Sequence, residues 1–418
     1  MTRLLVPDMF GVMAIAGVVM TGLAMFSDLG FKPNVVQSKR GSDPVFLNTT
    51  WVTQILRGLL LWCFALVASL VIHFANHAGI VPKGSVYADP NLPLVIAILS
   101  IAAVVGGFES TKLLEAARNM LLSRIAWIEV VTQIAALLCM IGWASIDRSI
   151  WALVAASVCS ATLRTILSHT WLPGVSNRWQ WDNTAFREIF NFGKWIFASS
   201  ILGFFVNSGD RLLLSSFVDS SVLGVYAIAF LIYSSIEQVL TRIINDVSLP
   251  ALSEVARQRR ADLKSSYYRF HVVIGSLAYF CSGILMTSGV GLVHLLYDRR
   301  YEQAGSMLEI LSVTMIAVPF RLATQSFLAL GVPHLLSAVI SIRLATLFVA
   351  TPIGFHLFGL FGALWAIVLS HFAYLPMIIL YNVRHRIFDM RTELSLLPIV
   401  AAGMILGRVV AAILGHYQ

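Results

Sequence analysis

Residues 52–74 read VTQILRGLLLWCFALVASLVIHF, and Arg57 is their one charged residue. The hydrocarbon core of a bilayer is about 30 Å thick, so a helix needs about 20 apolar residues to cross it. This stretch therefore predicts a transmembrane helix. Further runs of the same kind lie on both sides of it. They cover approximately residues 9–27, 92–108, 125–145, 149–168, 190–209, 222–240, 270–296, 308–330, 333–355, 358–381 and 394–415.

The overall composition supports a membrane protein. Apolar residues make up 58% of the 418 residues, charged residues 12%, and the mean hydropathy is +0.81. So few charges could not cover the surface of a soluble protein of this length. A transmembrane barrel would need short alternating strands, which the sequence lacks. The sequence predicts an all-α, polytopic helical bundle.

Lysine and arginine are concentrated in alternate connections between the predicted spans. These connections are 28–51, 109–124, 164–194, 241–269 and 382–393. Because cytoplasmic loops carry an excess of basic residues, we expect these connections to face the cytoplasm. Asp182, Asn183 and Thr184 predict the start of an amphipathic interfacial helix within residues 171–194. Residues 249–268, with Arg257, Arg259 and Arg260, predict a similar interfacial segment.

An internal repeat suggests two parallel halves. Residues 10–16 read FGVMAIA and residues 223–229 read LGVYAIA, and each follows an Arg-Leu-Leu sequence. A complete span precedes the second copy but not the first, so we expect the first half to lack its first helix. The predicted domains are a first lobe at 1–170, a cytoplasmic linker at 171–189, a second lobe at 190–382 and an additional C-terminal helix at 383–418.

Motifs for enzymatic chemistry are absent from the sequence. It contains no phosphate-binding P-loop, no nucleophile elbow and no zinc-binding HExxH. The four cysteines lie in apolar runs, which indicates neither disulfides nor a metal site. His371 and other histidines near span ends are interpreted as interfacial. We predict that the protein is not an enzyme and needs no cofactor.

Charged residues inside the spans are the candidate functional residues, because intramembrane charge is costly and usually faces a cavity or a partner. Arginine matches phosphate oxygens in bidentate geometry, which favours an anion-binding cavity. An intramembrane ion pair, or extension of the side chain to the interface, is the alternative. The predicted substrate contacts are Arg57, Asn207, Arg211, Arg321, Gln325 and Arg343.

Several segments resemble the polysaccharide-transport branch of the multidrug/oligosaccharidyl-lipid/polysaccharide exporter superfamily, the Wzx-like lipopolysaccharide flippases. They are similar in order and spacing to conserved segments of that family. The segments are RLLVPDMFG at 3–11, DLGF at 28–31, NFGKW at 191–195, GDRLLL at 209–214, LGVY at 223–226, LPALS at 249–253 and YEQAGSML at 301–308.

This resemblance implies two six-helix lobes around a central cavity and alternating access by movement of the lobes. It implies a polyprenyl-pyrophosphate-linked oligosaccharide as substrate, and a bacterial inner-membrane location. A proton or sodium gradient would then drive transport, with Glu129, Asp210 and Glu237 as candidate coupling residues. Expected partners are this substrate, membrane lipids and other polysaccharide-assembly proteins; nucleic acid is not expected.

Three other functions compete with a lipid-linked oligosaccharide flippase. A multidrug exporter for cations would favour a cavity lined by acids, whereas the intramembrane charges here are mostly arginine. A membrane glycosyltransferase or polymerase would need a substantial outer loop, which the sequence lacks. A non-transporting scaffold of a polysaccharide-synthesis complex would fit a first lobe that lacks a helix.

Overall fold

The computed structural model describes residues 5–82, 84–244, 248, 251–252, 255, 262–329, 334–385 and 387–415. The regular secondary structure of these residues is helical, which confirms the all-α prediction. The chain divides into two compact units, with the boundary between Leu223 and Gly224. The domain boundaries drawn from the sequence at residues 170, 189 and 382 stay predictions.

The described residues of the first unit form nine α-helices. They are α1 (Pro7–Phe26), α2 (Phe31–Gln37), α3 (Pro44–His77), α4 (Leu92–Leu99), α5 (Ile101–Gly107), α6 (Lys112–Arg118), α7 (Leu122–Ile146), α8 (Trp151–Thr170) and α9 (Asn183–Phe217). A short 3₁₀ helix, Val86–Ala88, lies between α3 and α4.

Helix α10 (Ser220–Ile243) begins at the boundary, and the other described helices of the second unit follow it. These are α11 (Leu263–Leu296), α12 (Gln303–Ser312), α13 (Arg321–Ala329), α14 (His334–Phe372), α15 (Leu375–Arg384) and α16 (Met390–Gly415). Two 3₁₀ helices, Arg299–Tyr301 and Val313–Phe320, flank α12.

The helices coincide with the predicted spans. In the part of the chain that the structure describes, nine helical segments are long and apolar enough to cross a membrane, or up to ten if the bent pair Leu92–Gly107 and Lys112–Arg118 is one span. Helix α9 covers the predicted span 190–209 but is not among these segments, and it carries Lys194, Asp210 and Arg211.

Gly359 interrupts helix α14, which is otherwise continuous over two predicted spans. Gly359 in α14 has φ +62° and ψ −151°, a conformation that a residue with a Cβ rarely adopts. A Cβ on Gly354 would lie 2.5 Å from the carbonyl oxygen of Gly362, so the chain folds back on itself around Gly359. This reversal separates the predicted spans 333–355 and 358–381.

The helix predicted within residues 171–194 begins where the sequence places its start, but it is not separate from the span that follows. Residues 173–182 are not helical, and the helix begins at Asn183 and continues without a break to Phe217. The amide of Arg178 donates to Asn48 Oδ1, and the amide of Asp182 donates to Thr49 Oγ1. These bonds to α3 hold the residues before the helix, which begins at Asn183 within the start that the sequence predicts.

Asp182 is the N-cap of α9, as the sequence predicts. Its carboxylate accepts hydrogen bonds from the Thr184 hydroxyl and the Ala185 amide, which lower the pKa of Asp182 below its usual range. The cap is therefore complete at neutral pH and is lost as the pH falls through this lowered pKa. Arg257, Arg259 and Arg260 of the other predicted interfacial segment lie outside the described residues.

Helices α11 and α16 approach each other closely through glycines. A Cβ on Gly403 would overlap the carbonyl oxygen of Phe280, and a Cβ on Gly407 would overlap the Thr287 hydroxyl. Thr287 Oγ1 also donates to the Met404 carbonyl oxygen at 3.1 Å. Small residues four apart allow transmembrane helices to pack backbone against backbone.

We predict that Gly403→Leu destabilises the second unit, because the added side chain would separate α16 from α11. Overpacking of this kind lowers the free energy of unfolding by about 1–3 kcal/mol. Thermal unfolding in detergent measures the change. Gly142→Leu is the control, since Gly142 is exposed on α7 and has open space at its Cβ position. Equal melting temperatures for the two variants would contradict this packing.

Candidate functional site

An ion pair lies inside the second unit, between two of the residues selected from the sequence. Arg321 Nη2 is 2.5 Å from Glu237 Oε1, and the two side chains are 20% and 16% exposed. Arg321 Nη1 also donates to Thr241 Oγ1 at 3.3 Å, one turn after Glu237 on α10. The charge of Arg321 is therefore balanced by Glu237, which is the ion-pair alternative that the sequence left open.

A second guanidinium, that of Arg343, has a neutral partner. Arg343 Nη2 lies 3.0 Å from His371 Nε2, and His371 is 7% exposed. Because guanidinium only donates, His371 Nε2 must be the acceptor and its ring proton must lie on Nδ1. Arg343 Nε and His371 Nδ1 are both buried, and neither has a hydrogen-bond partner among the described residues.

These residues form one cluster with an excess of positive charge. Arg321 and Arg343 are within electrostatic range of each other and of Glu237, and both face the hydroxyls of Tyr233 and Tyr374. The cluster holds two guanidinium groups and one carboxylate. Glu237 pairs with Arg321, and the described neighbours of Arg343 include no other acid. The positive charge without a matching carboxylate is therefore that of Arg343. We call this group of residues the arginine cluster.

A break in a helix positions Arg321. Residues Val313–Phe320 form a 3₁₀ helix that ends with Pro319 and Phe320, and α13 begins at Arg321. Proline lacks an amide hydrogen, so it breaks the α-helical hydrogen-bond pattern at this point. The helix break that a proline favours is thus present at Pro319. Thr314 of the same segment is buried beside the cluster.

Arg57 lies apart from the arginine cluster, in the first unit. Its Nη2 donates to the Ala24 carbonyl oxygen at 2.7 Å and its Nε donates to Ser27 Oγ at 3.1 Å. These bonds satisfy the C-terminal end of α1. Arg57 also lines a cavity of about 410 Å³ together with Gln54 and three other charged side chains. These are Asp28, Lys32 and Glu109.

The remaining selected residues are distributed over three helices. On α9, Arg211 Nη2 donates to the Asn207 carbonyl oxygen at 2.8 Å, and Arg211 Nε lies 3.9 Å from Asp210 Oδ1. Glu129 is exposed on the surface of α7. Gln325 lies one turn after Arg321 on α13 and is half-buried. The structure thus brings Arg321, Arg343 and Glu237 together and leaves Arg57 and Glu129 elsewhere.

His371 was not selected from the sequence as a site residue, and its interpretation as an interfacial histidine is wrong because the ring is buried. The ring is buried because the reversal at Gly359 returns the second half of α14 to Arg343. Tyr233 and Thr241 were missed as well. Their spacing of four residues on either side of Glu237 was the available signal, since such residues share a face of a helix.

The comparisons with known proteins decide the family. A family model described as "Polysaccharide biosynthesis protein" matches residues 1–306. The chain belongs to this family. Among curated proteins, the lipopolysaccharide biosynthesis protein WzxC of Escherichia coli (strain K12) is 21% identical over 324 residues. The match covers 75% of this chain and 61% of WzxC, so it extends over about three fifths of that relative.

Solved structures show that this member of the polysaccharide biosynthesis family shares a transporter fold. The lipid II flippase MurJ in an inward closed conformation has a TM-score of 0.67 at 12% identity, over 98% of this chain and 91% of its own. An inward-facing multidrug resistance MATE family transporter has a TM-score of 0.64 at 13% identity, over 98% and 92%. A transporter of the MOP superfamily from Pyrococcus furiosus has a TM-score of 0.53 at 15% identity, over 99% and 88%.

These findings confirm the predicted family and fold class. The apolar helices and the relationship to WzxC identify a multi-pass protein of the bacterial inner membrane. Among the residues that the structure describes, no group of three or more histidine, cysteine or acidic side chains could hold a metal ion.

We predict that Glu237→Ala is strongly destabilising, because it leaves Arg321 without its counter-charge. Removing one partner of a buried pair lowers the free energy of unfolding by about 3–5 kcal/mol. Adding Arg321→Met should recover part of that loss. Lys264→Ala is the control, since its pair with Asp389 is more exposed and should contribute less than about 1 kcal/mol. Similar thermal unfolding of Glu237→Ala and the control would contradict the ion pair.

Proposed function

We propose that this protein moves a polyprenyl-pyrophosphate-linked oligosaccharide across the inner membrane for lipopolysaccharide or exopolysaccharide synthesis. The two lobes would expose the substrate to each side of the membrane in turn. Family membership supports a role in polysaccharide biosynthesis, and the shared fold with MurJ and MATE transporters supports movement of a substrate. The substrate and the mechanism are the proposed parts.

The observation that carries this proposal is the uncompensated charge of Arg343. A buried guanidinium in a membrane span is costly unless it has a counter-charge. The acid within range, Glu237, is already paired with Arg321, and Arg343 Nε has no described partner. A pyrophosphate would supply the missing negative charge and several acceptor oxygens, which guanidinium binds in bidentate geometry.

The same charge balance argues against export of cationic drugs. A cation-binding site would need an ionised acid free of other partners, whereas Glu237 lies 2.5 Å from Arg321. Substrate contact by Arg57, Asn207, Arg211 and Gln325 remains part of the proposal. The cavity beside Arg57, of about 410 Å³, is large enough for a phosphate group or one sugar.

Coupling to an ion gradient would involve Glu237 before Glu129 or Asp210. An anion that binds Arg321 would compete with Glu237 for the guanidinium and release its carboxylate. Glu129 is exposed on its unit, and Asp210 lies next to Arg211. Partners would be the substrate, membrane lipids and other proteins of polysaccharide assembly.

Reconstitution in vesicles with a fluorescent polyprenyl-pyrophosphate oligosaccharide tests this function. We predict that the wild type moves the substrate between leaflets and that Arg343→Ala slows this movement at least about tenfold. Loss of a hydrogen bond to a charged group costs roughly 1.5–3 kcal/mol, and 1.4 kcal/mol corresponds to a factor of ten. Arg408→Ala is the matched control, because Arg408 is also within a span but is exposed.

A polyprenyl glycoside without phosphate separates recognition of the anion from recognition of the sugar. We expect the wild type to move this uncharged analogue much more slowly and Arg343→Ala to change its rate little. Equal slowing of both substrates would mean that Arg343 acts through folding. Absence of movement by the wild type would contradict the flippase and favour a scaffold of a polysaccharide-synthesis complex.

A further inference from the structure

Two histidines lie one helical turn apart at the end of α3, outside the arginine cluster and the cavity beside Arg57. His73 and His77 are at positions i and i+4, which share a face of a helix. Their ring centroids are 4.3 Å apart, with an interplanar angle of 48°. Both residues are exposed, so the two imidazoles contact each other at a surface that solvent can reach.

The ring of His77 is oriented by the helix backbone. His77 Nδ1 lies 3.0 Å from the carbonyl oxygen of His73. Because a carbonyl oxygen only accepts, Nδ1 carries the proton of the neutral ring and the lone pair is on Nε2. Histidines that bind metals usually donate their other ring N–H to a carbonyl or a carboxylate, which fixes the tautomer and the orientation of the ring. His77 already makes this hydrogen bond.

The end of α3 favours a cation. The helix ends at His77, and the chain turns at Gly79, which has φ +67°. The last carbonyl groups of a helix carry a partial negative charge, which attracts a cation to the final turn. Arg57, the one charged residue of α3, lies about 24 Å away along the helix axis, at 1.5 Å per residue. No other fixed positive charge on this helix opposes a metal ion.

Other residues of the same turns hold the end of α3 in place. Asn76 Nδ2 donates to the Tyr87 carbonyl oxygen in the short 3₁₀ helix at 2.8 Å. One turn before His73, Ser69 Oγ donates to the Pro93 carbonyl oxygen at 2.6 Å. The backbone that carries the two histidines is thus fixed by its neighbours. Preorganised ligands of this kind lose little conformational entropy when they bind.

The donor set indicates which metals the pair can hold. Imidazole nitrogen suits copper, nickel and zinc, whereas magnesium and calcium take oxygen ligands. The described residues provide no third histidine, cysteine or acid that would complete a larger group of ligands. Two histidines therefore supply two coordination positions and water supplies the others, which predicts modest affinity.

We propose that His73 and His77 together bind one divalent transition-metal ion, such as Cu²⁺, Ni²⁺ or Zn²⁺. Nε2 of His77 and one ring nitrogen of His73 each donate a lone pair to the ion. The ion links two successive turns and so stabilises the end of α3. With the basic connection 28–51 on the cytoplasmic side, as the sequence predicts, this site faces the periplasm. It is independent of the substrate that the protein moves.

Calorimetric titration of the full-length protein in detergent, purified without a polyhistidine tag, measures this binding. We predict one Cu²⁺ ion per chain at the tightest site, with weaker binding of Ni²⁺ and Zn²⁺ and none of Mg²⁺. In His73→Gln and in His77→Gln the affinity for Cu²⁺ should fall at least about tenfold, because the second imidazole no longer binds intramolecularly. Equal affinities of the wild type and His77→Gln would overturn the proposal.

His169→Gln is the matched control. His169 is also in the last turn of a helix, α8, and its Nε2 lies 2.8 Å from a backbone carbonyl oxygen, that of Phe108. Its described ring neighbour is Trp51 rather than a second histidine. We expect this variant to bind Cu²⁺ as the wild type does. A loss as large as that in His77→Gln would show that binding does not depend on the pair.

A variant with the same number of histidines tests the spacing. His77→Gln combined with Ala78→His moves the second imidazole about 100° around the helix. Ala78 is exposed and has helical backbone angles, so the fold should accept this change. The affinity should be as low as in His77→Gln alone. Affinity equal to that of the wild type would mean that each histidine binds independently, and the proposal would be wrong.

Electron paramagnetic resonance of bound Cu²⁺ gives a second readout, which does not depend on affinity. Each imidazole nitrogen bound to the metal adds its own coupling to the spectrum. We predict two such nitrogens in the wild type and one in His73→Gln. A wild-type spectrum with a single imidazole nitrogen would contradict binding by the pair.

Discussion

Hydrocarbon offers no counter-charge, so a guanidinium in a membrane span depends on what the protein places beside it. The three arginines Arg57, Arg321 and Arg343 meet this constraint in different ways. Arg57 donates to the exposed carbonyl end of α1, Arg321 pairs with Glu237, and Arg343 donates to neutral His371. The first two are satisfied as the protein stands. Of these three, Arg343 has neither an acid nor a helix end as its partner among the described residues, which makes it the leading candidate for an anion-binding residue.

The same constraint explains where the helices are broken. Backbone polar groups inside a membrane must be satisfied by the protein, so irregular backbone occurs only where other protein groups surround it. The 3₁₀ segment Val313–Phe320 is such a place: Thr314, Pro319 and three other residues of it are buried. Its two ends carry different contacts, with Ser282 Oγ donating to the Ser312 carbonyl oxygen before it and Arg321 pairing with Glu237 after it. A short segment of weaker helical structure thus lies between two polar anchors.

The sequence predicts the helices well because each span has to be long, apolar and continuous, and these properties are local. The reversal at Gly359 lies at the start of the second of two runs that are already separate in the sequence. The sequence does not predict which charges pair, because pairing depends on the rotation of each helix about its axis and on which helices lie next to it. Arg321 and Glu237 are distant in sequence, and both were selected, but for separate roles. His371 was assigned to the interface from its place near a span end, whereas burial against Arg343 required knowledge of the fold around Gly359.

Two groups of polar residues contact the start of α13 and the residue before it. The arginine cluster holds Arg321 through Glu237 and Thr241 of α10. On α11, the ring of His271 packs against Phe320, the residue immediately before Arg321. Because the two residues are adjacent in a segment interrupted by proline, neither can move far without the other. A change that moves Phe320 therefore also moves Arg321. The charge of Arg343 lies within electrostatic range of Arg321.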